Sequence, residues 1–355
     1  MYSNKQVIFD AERMRYPNTG LYFYCLHLGN ELLKIANEYN KNTFFKIYAD
    51  KDNHVFDYNP LYLNFNSFHK FALPNLPTGT IWHCNFQLTN YIPSRNSVKK
   101  VVTVHDLNFL REKKGDKQTK YLKKLQRNID CADVLVCISE FVKKEVIQHC
   151  NVQGKRVEVI YNGNNINDTV VAKPLERDGL DLSKPFLFAI GVVLPKKNFL
   201  VLVHLLVHNN LNLVISGVLT DDNYKQEIIA LATKLGVQDR VFLTGPVSES
   251  EKYYLLQNCH VFCFPSLTEG FGLPVVEAMH FGCDILLSTH TSLPEVGGDV
   301  VRYFDSFDPS YLEDLSRDIA SWDISGEEKN QVKERSKLFS WETAAKAYWQ
   351  IYNSL

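Results

Sequence analysis

The sequence predicts an α/β protein made of two doubly wound domains in tandem. Short runs rich in valine and isoleucine alternate with segments of helical periodicity, and after one break the same alternation starts again. The 355 residues are enough for two cores of ordinary size. A composition of 45% hydrophobic and 22% charged residues is typical of a folded protein.

The first domain is predicted over residues 1–165. Its expected strands are QVIFDA, FFKIYAD, TIWHC, KVVTVHD, DVLVCIS and VEVIYNG. Its expected helices are LYFYCLHLGNELLKIANEY, REKKGDKQTKYLKKLQR and EFVKKEVIQHC. Strands that are each followed by a helix favour a mostly parallel sheet covered on both faces.

A linker is predicted over residues 166–183, where the periodicity is lost, and the second domain over 184–338. The expected strands are PFLFAIGVV, LNLVISG, VFLTG, VFCFPS and DILLS. The expected helices are NFLVLVHLLVHN, YKQEIIALATKLG, ESEKYYLLQNC and the segment after TEGFG. Ligands of such sheets bind outside the carboxyl ends of the strands, so we expect a site in a cleft between the two domains.

Several classes of protein are not expected. The N-terminal residues are polar, and no apolar run is long enough to span a bilayer, which predicts a cytoplasmic protein. The eight cysteines form no C-x-x-C pair, so neither a zinc site nor a disulfide framework is predicted. Neither a G-x-G-x-x-G nor a G-x-x-x-x-G-K-[ST] motif occurs, which argues against a dinucleotide dehydrogenase and a P-loop NTPase.

The net charge of −1 conceals an uneven distribution. Residues 1–165 contain 23 basic and 15 acidic residues, whereas the remainder contains 16 and 25. Eight of the bases fall in Arg111–Arg127, where apolar residues recur at helical spacing. This segment predicts a basic amphipathic helix, and two interpretations remain open: a solvated helix face, or a surface for an anionic membrane or acceptor.

The stretch FPSLTEGFGLPVVEAMHFG carries the strongest local signal for a binding site. Pro274 suits the first turn of a helix and Gly282 its end, so Glu269 would lie in the preceding loop and Glu277 on the first turn. Glycines in the loop allow backbone N–H groups to approach a ligand, and the helix N-terminus favours phosphate. An ordinary strand-turn-helix connection would have the same local spacing.

The order of motifs resembles the retaining glycosyltransferases of the GT-B fold, family 4, and particularly their mannosyltransferase-like members. The resemblance covers nearly the whole chain. It rests on NTGLYFY, VTVHDL, VCISEFVKKEV, VIYNGN, IGVVLPKKN, TGPVSESE, the stretch with the two glutamates, and SLPEVGGD followed by YFD. It also implies that residues 339–355, FSWETAAKAYWQIYNSL, form a terminal helix that crosses back onto the first domain.

The resemblance implies a metal-independent hexosyltransferase with no cofactor beyond its nucleotide-sugar co-substrate. Lys196 and Lys197 would replace a divalent cation at the diphosphate, although the family usually has arginine before lysine here. Asp50-Lys51-Asp52 is interpreted as a turn. The implied catalytic residues are His105, Glu269 and Lys197. The implied donor-binding residues are Gly20, Lys196, Lys197, Val247, Gly270, Phe271, Gly272, Leu273 and Glu277.

Glu277 is expected to accept hydrogen bonds from the ribose, and Glu269 with the Gly270–Leu273 backbone to hold the donor sugar. The turn at Asn18–Gly20 resembles the family's glycine loop, but Tyr22 replaces its second glycine. Pro294-Glu295 is interpreted as a structural turn or a contact near the ribose. Acceptor contacts are assigned to Asp106, Arg111, Lys113 and Lys114.

The expected reaction is transfer of a hexose, favoured as mannose from GDP-mannose, to a glycan or lipid-linked glycan in surface polysaccharide biosynthesis. A UDP-sugar-dependent glucosyl- or N-acetylglucosaminyltransferase and a sugar-nucleotide epimerase are alternatives, and a non-catalytic nucleotide-sugar-binding module is a third. Contact with nucleic acid is not expected. A cytoplasmic protein that contacts the inner face of the cytoplasmic membrane would suit a lipid-linked acceptor.

Overall fold

The computed structural model describes residues 5–17, 19–41, 44–50 and 55–355. The chain divides into two compact units. Unit 1 comprises residues 1–165 together with Phe339–Leu355, and unit 2 comprises Ile166–Leu338. Each unit has its own parallel sheet.

Unit 1 contains a seven-stranded sheet in the order β3-β2-β1-β4-β5-β6-β7, and all of its strand pairs are parallel. Its strands are β1 (Val7–Asp10), β2 (Phe45–Ala49), β3 (Leu61–Asn64), β4 (Ile81–Cys84), β5 (Lys99–Val104), β6 (Val134–Cys137) and β7 (Arg156–Val159). Its first four helices are α1 (Gly20–Glu38), α2 (Phe109–Glu112), α3 (Gly115–Cys131) and α4 (Glu140–His149). Strands β1, β4 and β6 are buried along their full length, as expected of a sheet covered on both faces.

Unit 2 contains a six-stranded parallel sheet in the order β10-β9-β8-β11-β12-β13. Its strands are β8 (Phe186–Ile190), β9 (Asn212–Ser216), β10 (Val241–Gly245), β11 (Val261–Phe264), β12 (Ile285–Leu287) and β13 (Arg302–Tyr303). Its α-helices are α5 (Asp222–Lys234), α6 (Glu249–Asn258), α7 (Leu273–Phe281), α8 (Leu293–Gly297), α9 (Pro309–Asp318) and α10 (Gly326–Ser336). In each sheet the strand order reverses beside the first strand of the unit, β1 or β8. Open α/β sheets bind ligands at such switch points.

The last helix, α11 (Trp341–Ser354), belongs to unit 1 and packs on α1. Its entry is held by hydrogen bonds from the Asn164 N–H to the Phe339 carbonyl (3.0 Å) and from the Trp341 Nε1–H to Asn165 Oδ1 (3.0 Å). Trp341, Tyr348 and Tyr352 are buried, so this helix supplies part of the core of unit 1.

Some elements differ from the sequence-based expectation. The segment after Asn198 forms a 3₁₀ helix (Phe199–Leu206) with Asn198 in the left-handed conformation at its start. Strands β3 and β13 were not expected, because their short, partly exposed segments carry little hydrophobic pattern. The basic helix does not begin at Arg111: α2 ends at Glu112, and α3 begins at Gly115, which has a positive φ of 60°.

Candidate functional site

Most of the predicted donor residues of unit 2 lie in the loop between β11 and α7, contact that loop, or lie in α7 itself. The loop ends at Gly272, which has φ 109°, a conformation that residues with a side chain rarely adopt. A Cβ atom at this position would lie 2.8 Å from Leu293 Cδ2. Gly272 is therefore required for both the turn into α7 and the close approach of α8.

The backbone of this loop is held by residues that precede α8. The Glu269 N–H donates to Thr291 Oγ1 at 3.0 Å. The Ser292 hydroxyl lies 3.1 Å from the Glu269 carbonyl and 3.2 Å from the Phe271 carbonyl, so one hydrogen is shared between two acceptors. These contacts fix the direction in which Glu269 leaves the loop.

The Glu269 carboxylate forms an ion pair with Lys197. Both side chains are largely buried, at 16% and 13% exposure, so water screens the pair less than it would at the surface. Lys197 ends a 3₁₀ turn (Pro195–Lys197), and its ammonium lies 5.0 Å from the centre of the Phe264 ring. A Cβ at Gly191 would lie 3.3 Å from Lys197 Cε, so this glycine leaves room for the lysine side chain.

Glu277 has a separate basic partner, Lys252 of α6, whose Nζ lies 3.0 Å from Glu277 Oε2. The two side chains are 8% and 15% exposed. Glu277 does not lie in the first turn of α7 as predicted: Leu273 is the first helical residue, so Glu277 is in the second turn. Each of the two predicted carboxylates is thus held by its own lysine.

The other predicted donor residues occupy loops and helix ends. The Lys196 carbonyl accepts from the Leu267 N–H at 2.9 Å, which ties its turn to the loop before α7. Val247 lies half-buried in the β10–α6 loop. In unit 1, Gly20 is the first residue of α1 and directly follows the N-cap residue Thr19. Asn18, from the predicted glycine-loop turn, and Lys51 and Asp52, from the predicted acidic turn, lie outside the described residues.

His105 follows β5 in unit 1 and is buried at 9% exposure. Its Nε2 lies 2.9 Å from the Asn85 carbonyl, and its backbone N–H donates to Gln87 Oε1 at 3.2 Å. The ring also stands edge-on to Tyr24, with 4.5 Å between centroids. Since a carbonyl can only accept, Nε2 carries the proton and Nδ1 keeps its lone pair.

Burial lowers the pKa of His105 to about 4, against the smaller opposing effect of its hydrogen bond to Asn85. The imidazole is therefore neutral near pH 7. A neutral ring with its hydrogen already donated to Asn85 is an acceptor at Nδ1 and not a general acid.

The predicted acceptor residues do not form one cluster of free charges. Asp106 Oδ1 accepts from the Asn108 N–H at 3.0 Å in a local turn. Arg111 forms an ion pair with Glu145, whose side chain is buried. Lys113 and Lys114 lie between α2 and α3, where Lys114 is exposed and Lys113 half-buried. The basic character of this segment is thus partly neutralised at Arg111.

Sequence reasoning missed the residues that hold the site. In unit 2 these are Thr291, Ser292 and Lys252. In unit 1 they are Asn85 and Gln87, which follow the predicted strand TIWHC and touch His105. The position of Asn85 and Gln87 just beyond a strand end was the available signal. It was a weak one, because polar residues in loops often only form hydrogen bonds within the turn.

Two family profiles match the sequence. The profile described as "Glycosyl transferases group 1" matches residues 174–339, and "Glycosyltransferase Family 4" matches residues 79–168. The chain belongs to the family 4, group 1 glycosyltransferases. The family expected from the motifs is therefore confirmed.

Relatives of this chain include serotype-specific mannosyltransferase WbdA of Escherichia coli, 31% identical over 64% of this chain and 29% of WbdA. The O-antigen chain mannosyltransferase B of E. coli is 26% identical over 75% of this chain and 72% of its own length. An N-acetylgalactosaminyltransferase of Campylobacter jejuni that acts on a diphospho-undecaprenol-linked sugar is 25% identical over 59% of this chain and 56% of its own length. The chain thus spans less than a third of WbdA.

Solved structures confirm the expected GT-B fold. Sucrose-phosphate synthase from Thermosynechococcus elongatus superposes with a TM-score of 0.73 at 16% identity, covering 99% of this chain and 98% of the other. Anabaena HepE in complex with UDP and glucose superposes with a TM-score of 0.70 at 15% identity, covering 99% and 100%. At these identities the likeness concerns the fold alone.

The described residues contain neither a candidate membrane span nor a candidate metal centre. Within the described part of the chain, no helix is both long and apolar enough to cross a bilayer. Over the same residues, no group of three or more His, Cys, Asp or Glu side chains is arranged to hold a metal ion.

Proposed function

We propose that the protein is a retaining, metal-independent hexosyltransferase that takes mannose from GDP-mannose and transfers it to a glycan or lipid-linked glycan in surface polysaccharide biosynthesis. The observation that carries the proposal is the pair of buried lysine–carboxylate contacts, Lys197–Glu269 and Lys252–Glu277, at the loop and helix α7. The mannosyltransferase names of the WbdA and O-antigen relatives support the choice of sugar.

Departure of the nucleoside diphosphate requires positive charge near its oxygens. Lys197 has three N–H donors, and its contact with Glu269 leaves others for phosphate oxygens. Lys196, in the same turn, is assigned as a second cation. The N-terminus of α7, opened by Gly272, adds a partial positive charge. These groups together would supply the stabilisation that a divalent cation supplies in other transferases.

Glu277 is assigned to the ribose hydroxyls, because an ionised carboxylate accepts from two neighbouring hydroxyl groups. Its ion pair with Lys252 limits rotation of the side chain. Glu269 and the Gly270–Leu273 backbone are assigned to the donor sugar. Val247 would present main-chain groups to the base.

In the proposed reaction the acceptor oxygen bonds to the anomeric carbon on the face that the diphosphate leaves. The bond between that carbon and the phosphate oxygen breaks, and the departing phosphate oxygen takes the acceptor's proton. His105 then needs no proton of its own to give, and its Nδ1 would accept a hydrogen bond from a sugar hydroxyl. Gly20 is assigned to the diphosphate side, and Asp106, Arg111, Lys113 and Lys114 to the acceptor.

A UDP-sugar is the alternative donor. The N-acetylgalactosaminyltransferase relative, at similar identity, is named for a sugar other than mannose, so it supports a different donor sugar. The same lysines and carboxylates would serve either nucleotide, because they contact the diphosphate and ribose that both donors share.

The proposal is tested by thermal-shift titrations with GDP, UDP, ADP and their sugar conjugates, with and without EDTA. A ligand that binds only the folded state raises the Tm. We expect a shift that is selective for GDP and GDP-mannose and indifferent to EDTA. A UDP-selective shift would replace the donor, and no shift with any nucleotide would contradict the proposed function.

Product analysis separates transfer from the alternatives. Incubation with GDP-mannose and lipid-diphosphate-linked acceptors should give an α-configured product and GDP. An epimerised sugar nucleotide formed without acceptor would favour the epimerase. Tight nucleotide binding with no transfer in any acceptor mixture would favour the binding module.

A further inference from the structure

One surface of unit 1 exposes two phenylalanines within a single turn. Phe68 and Phe71 are 73% and 79% exposed, at the 3₁₀ turn (Ser67–Lys70) that follows β3. Large aromatic side chains are rarely left this open unless the surface has a partner. Between them, the Lys70 ammonium lies 4.8 Å from the centre of the Phe71 ring.

Basic side chains from two other segments border the same surface. Lys70 and Phe71 line a cavity of about 450 Å³ together with Arg95, from the β4–β5 connection, and Arg127 of α3. No aspartate or glutamate is among the described residues that line this cavity. We call Phe68, Lys70, Phe71, Arg95 and Arg127 the aromatic-basic surface.

Helix α3 extends the positive charge beyond the cavity. Burial, followed by the charges of Arg127 and Arg13, lowers the pKa of Lys124, and Lys120 contributes in the same direction. Glu12 opposes this effect. The cations of this helix are thus close enough to repel one another, and an anionic partner would relieve that repulsion.

We propose that the aromatic-basic surface docks unit 1 on an anionic lipid bilayer, with Phe68 and Phe71 inserted at the level of the headgroups. Exposed aromatics flanked by lysine and arginine are the combination that binds such an interface: the rings leave water and the cations meet acidic headgroups. A soluble acidic partner would use the charges but would leave two open phenylalanines unexplained. The inference goes beyond the proposed function, because vesicle binding requires neither donor nor acceptor sugar.

Co-sedimentation with vesicles, in the absence of nucleotide sugar, tests the proposal on the full chain. The probes are vesicles of phosphatidylcholine alone and of phosphatidylcholine mixed with phosphatidylglycerol. We expect binding to the mixed vesicles at low salt, at least about tenfold weaker binding to the neutral ones, and a steep loss of binding as salt increases.

Two double variants separate the contributions of the rings and the charges. Phe68→Ser with Phe71→Ser should weaken binding to mixed vesicles by at least about tenfold. Lys70→Gln with Arg127→Gln should weaken it by about fivefold per charge, from roughly 1 kcal/mol for each base near the membrane, and should flatten the salt dependence. Each variant should keep the wild-type Tm, because all four side chains are exposed.

Matched controls use the same kinds of substitution elsewhere. Ile147→Ser with Val171→Ser removes two exposed apolar side chains, and Lys184→Gln with Lys234→Gln removes two exposed bases. Both controls should bind vesicles like wild type. The proposal is overturned if wild type does not sediment with mixed vesicles at low salt, or if control and surface variants lose binding equally. Nucleotide thermal shifts on the same samples report on the proposed function separately.

Discussion

At the scale of single residues, the two glutamates of unit 2 differ in what surrounds them. Glu269 leaves a loop whose backbone is held by Thr291 and Ser292, and it meets Lys197. Glu277 lies inside a helix and meets Lys252. The first contact couples a carboxylate to the lysine that is proposed to bind the diphosphate. The second holds in place the carboxylate that is proposed to bind the ribose. Their variants should therefore fail in different ways.

Glu269→Gln should lower kcat by about a hundredfold or more while changing nucleotide affinity by less than about threefold. The amide keeps the shape of the side chain but loses the charge that Lys197 contacts. Steady-state transfer at saturating donor, combined with calorimetric titration of GDP, measures the two effects separately. The control is Glu313→Gln, which alters a carboxylate of α9 that contacts His204. It should change neither kcat nor nucleotide affinity. Full activity of the Glu269 variant would contradict the assignment.

Lys252→Met should weaken both nucleotide binding and folding. Removing one partner of a largely buried pair leaves Glu277 uncompensated, and we expect a loss of about 3 kcal/mol in the free energy of unfolding. Urea unfolding and GDP titration measure the two losses, and Lys252→Arg should recover much of both.

The matched control is Lys346→Met, which breaks the exposed Lys346–Glu342 pair of α11. Those side chains are 62% and 53% exposed, so the loss should stay below about 0.5 kcal/mol. Equal losses in the two methionine variants would show that burial does not determine how much the Lys252–Glu277 pair contributes to the free energy of unfolding.

At the scale of elements, helix α7 was predicted well because its signals are local. Pro274 near its start, Gly282 with φ 71° at its end and the apolar run between them are all read from neighbouring residues. Glu277 was placed one turn too early because the helix starts directly after Gly272, whose left-handed conformation also depends on contact with α8.

Gly272→Ala should therefore destabilise unit 2 by more than about 1 kcal/mol. The added methyl group meets Leu293, and the positive φ is unfavourable for alanine. Gly326→Ala is the control, since a Cβ at the first residue of α10 has no neighbour within 4 Å. Thermal unfolding of the two variants makes the comparison, and similar Tm values would contradict the role given to Gly272.

Elements that depend on packing were predicted less well. Phe199–Leu206 is apolar nearly throughout, so its pattern could not distinguish a 3₁₀ helix from an α-helix. Strand β3 is half-exposed at the edge of the sheet, and its pairing with β2 supplies the order that its sequence lacks. In both cases neighbouring parts of the fold, rather than the segment itself, select the conformation.

At the scale of the whole of unit 1, a buried polar network joins α11 to the sheet and to α1. His83 lies 2.6 Å from the Tyr352 hydroxyl and 2.8 Å from the Thr103 hydroxyl. The Thr103 and Tyr24 hydroxyls each lie 2.8 Å from the Tyr348 hydroxyl, and 3.5 Å from one another. These four hydroxyls and one imidazole N–H provide one hydrogen for each of the five contacts, so all can be satisfied at once.

Tyr348→Phe should destabilise the protein by about 1–3 kcal/mol, because buried hydroxyls of the network lose a partner. Tyr24, which stands against His105, loses one of its two hydroxyl contacts, so kcat should also fall. Tyr121→Phe alters an exposed tyrosine and serves as the control for both the unfolding free energy and kcat. Wild-type unfolding and kcat in Tyr348→Phe would argue against a role for this network.

Acid should weaken unit 1 through His83. Burial, followed by the charge of His105, lowers the pKa of His83 to about 3, well below its unfolded value. Between about pH 6.5 and pH 3 the unfolded state binds the additional proton, so the stabilisation present at neutral pH is lost as pH falls. The loss should approach about 1.4 kcal/mol per pH unit.

His83→Gln removes this titration. The difference in unfolding free energy between wild type and variant, measured in urea at several pH values, should decrease from pH 7 towards pH 4. A difference that does not change with pH would mean that His83 titrates alike in the folded and unfolded states.

The sequence by itself determined the α/β class and the strand ends near His105, Lys197 and Glu269, because hydrophobic period and turn residues are properties of neighbouring residues. The glycosyltransferase family came from the resemblance of its motifs to a known family. Only the tertiary structure decided which lysine holds which carboxylate, which carbonyl sets the tautomer of His105, and how the last helix enters the core of unit 1. These contacts join residues from about 20 to more than 300 positions apart, and folding alone brings them together.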